Sequence, residues 1–187
     1  DAQMTYKGFR GYHPLLGGNA ETGMFVSSLF QQGNISPQSG LVDFIHRCLK
    51  NAPGTFKTVR IDSAGFNQFV INDCFKNNLR FSITADHDVA VMDAILRIPE
   101  NEWKQGKYED GTVAPYQVAE TVHTMQETPQ SFRLVAKRTA RSNQDDLFYG
   151  PYHYWIIATN IPHKEKDAQA IIHFHESRGE VEKMIVG

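Results

Sequence analysis

NIPHKEKDAQAIIHFHESRGEVEKMIVG (160–187), taken with FKTVRIDSAGF (56–66), decides how the chain is read. In the shorter stretch a strand over 56–62 alternates: Val59 and Ile61 face one way, and Thr58, Arg60 and Asp62 the other. SAG then breaks it, leaving Asp62 at the strand end. In the longer stretch Pro162 suits a first helical turn, and the run from Lys164 to Arg178 is proline-free and rich in helix formers. Ile171, Phe174, Val181 and Ile185 recur at helical steps and form an apolar stripe, with Glu182 on its edge in line with Ile171, His175 and Arg178. A carboxylate leaning toward a core must be paired, protonated or bound to a cation. An exposed Glu182 paired with Arg178 one turn back fits the periodicity equally well. Gly179 predicts a bend or a close approach to the helix backbone. Two acids placed by rigid elements, Asp62 and Glu182, suit metal-dependent phosphoryl chemistry.

Composition is ordinary for a globular chain of one core: 187 residues, 41% hydrophobic and 21% charged. A formal net charge of −2 supplies no global attraction to nucleic acid, so any such attraction must be local. Arg133, Lys137, Arg138 and Arg141 are the local candidates. Each singly fits a solvated strand face at least as well. Cys48 and Cys74 lack metal-ligand spacing and read as reduced core thiols of an intracellular protein. No apolar run approaches membrane-spanning length, and no signal-peptide pattern opens the sequence.

In chain order, 12–18 and 23–33 read as antiparallel strands around the turn-rich NAET, and a helix over 39–51 carries Leu41, Phe44, Ile45, Cys48 and Leu49 on one face. After the 56–62 strand come a helix over 66–78 burying Phe66, Phe69, Val70, Cys74 and Phe75, and a strand over 79–86. This order predicts an α/β domain with a mixed sheet and parallel neighbours at the crossover. Active sites in such sheets lie beyond carboxyl strand ends, which singles out Asp62. A helix over 88–98, with Asp88 as N-cap, and strands near 116–125 and 131–141 form a β-rich interval at about 87–146, before a last strand ending in IIATNI. His173 and His175 diverge on a helix and cannot share one ion. Asp86, His87 and Asp88 read as a capping turn sooner than a cation site.

TYKGFRGYHPLL (5–16), VRIDSAGF (59–66), ATNI (158–161) and HESRGEVEKMI (175–185) resemble successive blocks of bacterial insertion-sequence transposases of the DDE class, insertion-sequence families four and 1380. The resemblance covers nearly the whole chain in order. It implies a ribonuclease H-like catalytic domain, a mixed sheet flanked by helices with a β-rich insertion before the last strand and helix. It also implies a triad of two aspartates and one glutamate binding two divalent cations, Mg2+ or Mn2+, for DNA cleavage and joining. On it, Asp62 is the second aspartate and Glu182 the glutamate, both metal ligands. The family pattern of Tyr, two residues, Arg, three residues, Glu, six residues, Lys is kept at Arg178 and Glu182. His175 stands where the tyrosine is expected, and the lysine position falls past residue 187. Asp1 lacks the apolar neighbours of a buried strand, so the first aspartate is expected upstream. Residues 1–187 then form one truncated domain, expected to bind metal weakly and to cleave nothing alone.

The resemblance further implies DNA partners, transposon ends and target, with a homodimer as the assembly compatible with such a complex. Arg178 is the implied phosphate contact, and Lys137, Arg138 and Arg141 could neutralise backbone phosphates. In relatives a tryptophan of the insertion stacks on a flipped base, a role that falls here on Trp103 against the plainer one of covering a hydrophobic cluster. Trp155 reads as strand core. Two rival readings keep the fold and change the activity: a non-catalytic DNA-binding or assembly module, and a metal-dependent nuclease without end specificity.

Overall fold

The structure, a computed structural model, describes residues 2–4, 8–36, 38–52, 58–141 and 150–177. It divides into two compact units, Asp1–Lys57 with Ser177–Gly187, and Thr58–Glu176.

In the first unit, β1 (Gln3–Met4), β2 (Arg10–Gly18) and β3 (Phe25–Gln32) form an antiparallel sheet. Asn19 closes the β2–β3 turn, its side chain accepting the Glu21 amide at 2.9 Å. Helix α1 (Leu41–Asn51) buries Leu41, Phe44 and Ile45, with Cys48 half-buried. Gly17 of β2 lies so close to α1 that a Cβ there would sit 2.5 Å from Cys48 Sγ.

The second unit is built on a six-stranded mixed sheet in the order β4-β5-β9-β8-β7-β6. Its strands are β4 (Thr58–Ile61), β5 (Arg80–Thr84), β6 (Lys104–Lys107), β7 (Val113–His123), β8 (Phe132–Ala140) and β9 (Tyr152–Thr159). Only β4 and β5 run parallel, joined by α2 (Gln68–Lys76). The strands of the 87–146 interval extend this same sheet.

Alternation sorts the sheet's side chains to two faces. One packs α2 and α3 (Val89–Leu96) and is tied together by edge-on rings, Phe66 to Phe132 at 6.5 Å, Phe132 to Phe81 at 6.0 Å and Phe81 to Phe75 at 5.7 Å. The other holds Tyr116, Val118, Val135 and Ile157 against Ile171 and Ile172 of α4 (Ala168–Glu176). Each fully buried Ile or Val contributes about 1.5–3 kcal/mol by leaving water. The class is therefore mixed α/β with helices on both sheet faces, as the strand–helix order predicted. Among the described residues no helix is long and apolar enough to cross a membrane.

Two element readings need correction. The 66–78 helix starts later, because the Asn67 side chain accepts the Val70 amide at 3.0 Å and caps it there. That phase buries Val70, Ile71 and Cys74 and leaves Phe69 71% exposed. The last helix does not run from Lys164. Pro162 instead accepts the amides of Glu165 and Lys166 in a turn, and Asp167 caps α4 through the Ala170 amide at 2.8 Å. Arg133 holds that turn from inside, donating to the carbonyls of Ile161 and Lys166 at 2.6 and 3.0 Å.

Candidate active site at the carboxyl end of the parallel pair

Asp62 follows β4 directly and caps the one-turn helix Ser63–Gly65, its Oδ1 accepting the Ala64 amide at 3.1 Å. The turn is tight because Gly65 lies on the strand: a Cβ there would meet Ile61 Cγ2 at 2.7 Å. A carboxylate has about four lone-pair directions, so capping leaves Asp62, which is exposed, with capacity for a cation.

The parallel register, Arg60 beside Ser82 and Ile61 beside Ile83, brings the carboxyl ends of β4 and β5 to one edge. Asp86 and Asp88 follow β5 at that edge. Asp88 caps α3 through the Val91 amide at 2.8 Å, the role expected for it. Partial burial, then the neighbouring Asp88 charge, raise the Asp86 carboxyl above its ordinary range against the opposing pull of His87.

The last turn of α4 crosses this end of the sheet. Arg60 donates to the Phe174 carbonyl at 2.6 Å, with its guanidinium 4.8 Å from the Phe174 ring centroid. His175, 2% exposed, meets Ser82 Oγ at 2.7 Å and Thr84 Oγ1 at 3.0 Å. Sequence reading placed His175 in line with Ile171. It missed that two hydroxyls of β5 and one guanidinium of β4 receive this turn; the only signal was their shared alternation parity. His173 points elsewhere, to the Lys107 carbonyl at 2.8 Å, as the divergence argument required.

Glu182 and Arg178 lie outside the described residues, as do Asp1, Val181, Ile185 and the expected bend at Gly179. A single carboxylate such as Asp62 is a fitting hard oxygen ligand but does not make a divalent-cation site alone. Among the described residues no group of three or more His, Cys, Asp or Glu could hold a metal ion.

The basic cluster of β8 does not form one solvated face. Lys137 projects toward α4, bonding Glu176 at 2.6 Å, with its ammonium 4.5 Å from the Tyr116 ring centroid. Arg138 projects the opposite way and is 3% exposed. It donates to both Glu100 oxygens and to Gln117, between the rings of Trp103 at 4.2 Å and Tyr152 at 4.1 Å. Arg141 donates to the Tyr152 carbonyl at 3.0 Å. Trp103 is 8% exposed and lies 6.0 Å from the Tyr154 ring. With Arg138 covering it, this indole packs as the lid of a small cluster. Trp155 sits half-buried on the α4 face, against His175.

A family model described as transposase DDE domain group 1 matches residues 1–186. No curated protein matches the chain.

Proposed function

This chain belongs to the transposase DDE domain family, and we propose that it is the catalytic part of a transposase of the insertion-sequence type, cleaving and joining DNA at transposon ends. Membership implies DNA as partner and, at the level of the family, dependence on divalent metal ions. The observation that carries the reading is Asp62: an exposed carboxylate fixed by its own turn at the carboxyl end of the parallel pair, on the strand parity that α4 covers.

In this reading Asp62 and Glu182 hold the divalent cations, Mg2+ or Mn2+. When bound, two such ions lower the pKa of the attacking water or 3′-hydroxyl and stabilise the leaving oxygen. The chain's own residues do the positioning. The Ser63–Gly65 turn holds the Asp62 carboxylate, Arg60 and His175 hold the helix end, and Arg178 contacts a DNA phosphate. No protein nucleophile is needed. Of the basic side chains, Arg141 is kept as a phosphate contact in a DNA-bound state. Arg138 and Trp103 serve the fold.

The test is nicking of DNA bearing the element's terminal repeats by the full-length chain with Mg2+ or Mn2+, beside Asp62→Ala and Glu182→Ala. Nicking at the ends by the parent, and folded but inactive variants, are expected. Variants that cut as well as the parent overturn the site. A folded parent that binds DNA and never cuts overturns catalysis in favour of a non-catalytic module, and cleavage of arbitrary duplexes overturns end specificity.

A further inference from the structure

Asp62 is held by more than its own strand. Its Oδ1 accepts the Ala64 amide at 3.1 Å and its carbonyl accepts the Gly65 amide at 3.0 Å, so the carboxylate moves with the Ser63–Gly65 turn. That turn has two walls. On one side Gly65 lies against β4, where a Cβ would meet Ile61 Cγ2 at 2.7 Å and Ile61 Cβ at 2.9 Å. On the other stands Asn67. Its Nδ2 donates to the Ala64 carbonyl at 3.1 Å, its backbone amide donates to the Gly65 carbonyl at 2.9 Å, and its Oδ1 accepts the Val70 amide at 3.0 Å. A carbonyl only accepts and a backbone N–H only donates, so a single orientation of the Asn67 amide satisfies both ends.

The cap on α2 does not by itself call for asparagine, because aspartate and serine cap about as well through one acceptor oxygen. The bond to Ala64 does call for it: a donor is needed on the same side chain, reaching back into the turn that carries Asp62. The far end of this link is anchored. Helix α2 packs on β5, burying Val70, Ile71 and Cys74. It is also bonded to the turn between β7 and β8, through Gln68 to Glu127 Oε2 at 2.9 Å and Asn72 to the Glu127 carbonyl at 3.0 Å. A short run of hydrogen bonds therefore leads from the Asp62 carboxylate through Ala64 and Asn67 into a fixed helix.

On the proposed role of Asp62 as a metal ligand, we infer that Asn67 is a positioning residue: its amide clamps the Ser63–Gly65 turn to the start of α2 and so fixes where the carboxylate stands beyond β4. All of these residues lie within the Thr58–Glu176 unit. Asn67 touches neither DNA nor cation in this scheme.

The experiment compares Asn67→Ser and Asn67→Asp with the parent in the full-length chain. Both variants keep an acceptor for the Val70 amide and lose the amide group that donates to Ala64. Four readouts are followed: amide hydrogen exchange without metal, the Mn2+ affinity that Asp62→Ala abolishes (by electron paramagnetic resonance), nicking kcat and KM, and thermal midpoints. In both variants the Ala64 and Gly65 amides are expected to exchange up to roughly 10-fold faster, the worth of one hydrogen bond, with Val70 exchange and the midpoint unchanged. Mn2+ affinity is expected to weaken roughly 10-fold, the scale seen when groups orienting metal ligands are lost. The kcat is expected to fall roughly 100-fold, the scale of a small misplacement of reacting groups, with KM for DNA unchanged. Parent-like kcat or Mn2+ affinity in either variant overturns the inference; a loss confined to Asn67→Asp reports its added charge. A loss matched by a lower midpoint or faster Val70 exchange also overturns it, since Asn67 then only holds the fold. If one variant does not fold, the other decides by the same criteria. A parent that binds Mn2+ and never nicks overturns the transposase chemistry alone, and exchange and Mn2+ affinity then decide the inference. A parent that does neither overturns both.

Discussion

The carboxyl end of the β4–β5 pair and the basic stretch of β8 carry similar promise in the sequence and end in opposite conditions. At the first, Asp62 is exposed and its carboxylate accepts the Ala64 amide that it caps. At the second, the densest run of positive charge is drawn inward: Arg138 is enclosed by Glu100, Gln117, Trp103 and Tyr152, Arg133 by Glu120 and two carbonyls, and Lys137 by Glu176 and two rings. Charge density along a strand is thus not charge available to a ligand. A strand sends successive residues to opposite faces, and inside a three-layer unit both faces are covered.

The largest expected effect tests the first region. Asp62→Asn in the full-length chain should cut nicking by at least roughly 1000-fold, because losing several kcal/mol of metal-borne stabilisation costs a factor of ten per 1.36 kcal/mol. Asparagine caps as well as aspartate, so the melting curve should stay within about 1 kcal/mol of the parent. A matching loss of stability would make Asp62 structural and erase the contrast.

Next comes Arg138→Ala, which leaves Trp103 and Tyr152 without the cation between them. We expect a loss of roughly 2 kcal/mol in denaturant unfolding, the scale of a desolvated cation–π contact, because the Glu100 side chain of the pair is itself 73% exposed. The salt dependence of DNA binding should not change. A slope reduced by about one unit would instead mark Arg138 as a phosphate contact and break the comparison from the other side.

Cysteine labelling gives a smaller, graded contrast. Burial, reinforced by Asp73, pushes the Cys74 thiol up to about 12, whereas Cys48 is raised less and is half-buried. At pH 8 a thiol reagent should modify Cys48 first, and Cys74 only under denaturant; equal rates would show that α2 opens readily.

The smallest effect concerns Glu100, whose carboxyl is held below its ordinary value of 4.5 by the hydrogen bond from Arg138. A lowered folded pKa means that its contribution to stability is present above about pH 4.5 and is lost as pH falls through the lowered value. Glu100→Gln should therefore flatten the acid side of a plot of melting midpoint against pH. An unchanged acid limb would show that the Glu100–Arg138 contact has no weight in solution.

Much of this was legible in the chain itself. Alternation in VRID placed Asp62 at a strand end, the order of strands and helices implied a mixed sheet with a parallel pair, and Asp88 was readable as a cap because its side chain serves the next turn. These are local matters, decided by side-chain period and by hydrogen bonds between near neighbours. What only the tertiary structure decided were relations between distant segments. Phe69 is exposed because Asn67 sets the phase of α2, Pro162 closes a turn because Arg133 binds it from another strand, and Arg138 is interior because Glu100 and Trp103 fold back over it. His175 belongs to the same group. Its place on the helix was visible, but its partners, Ser82 and Thr84, come to it across the sheet, and one-dimensional periodicity carries no record of which strand a helix face will meet.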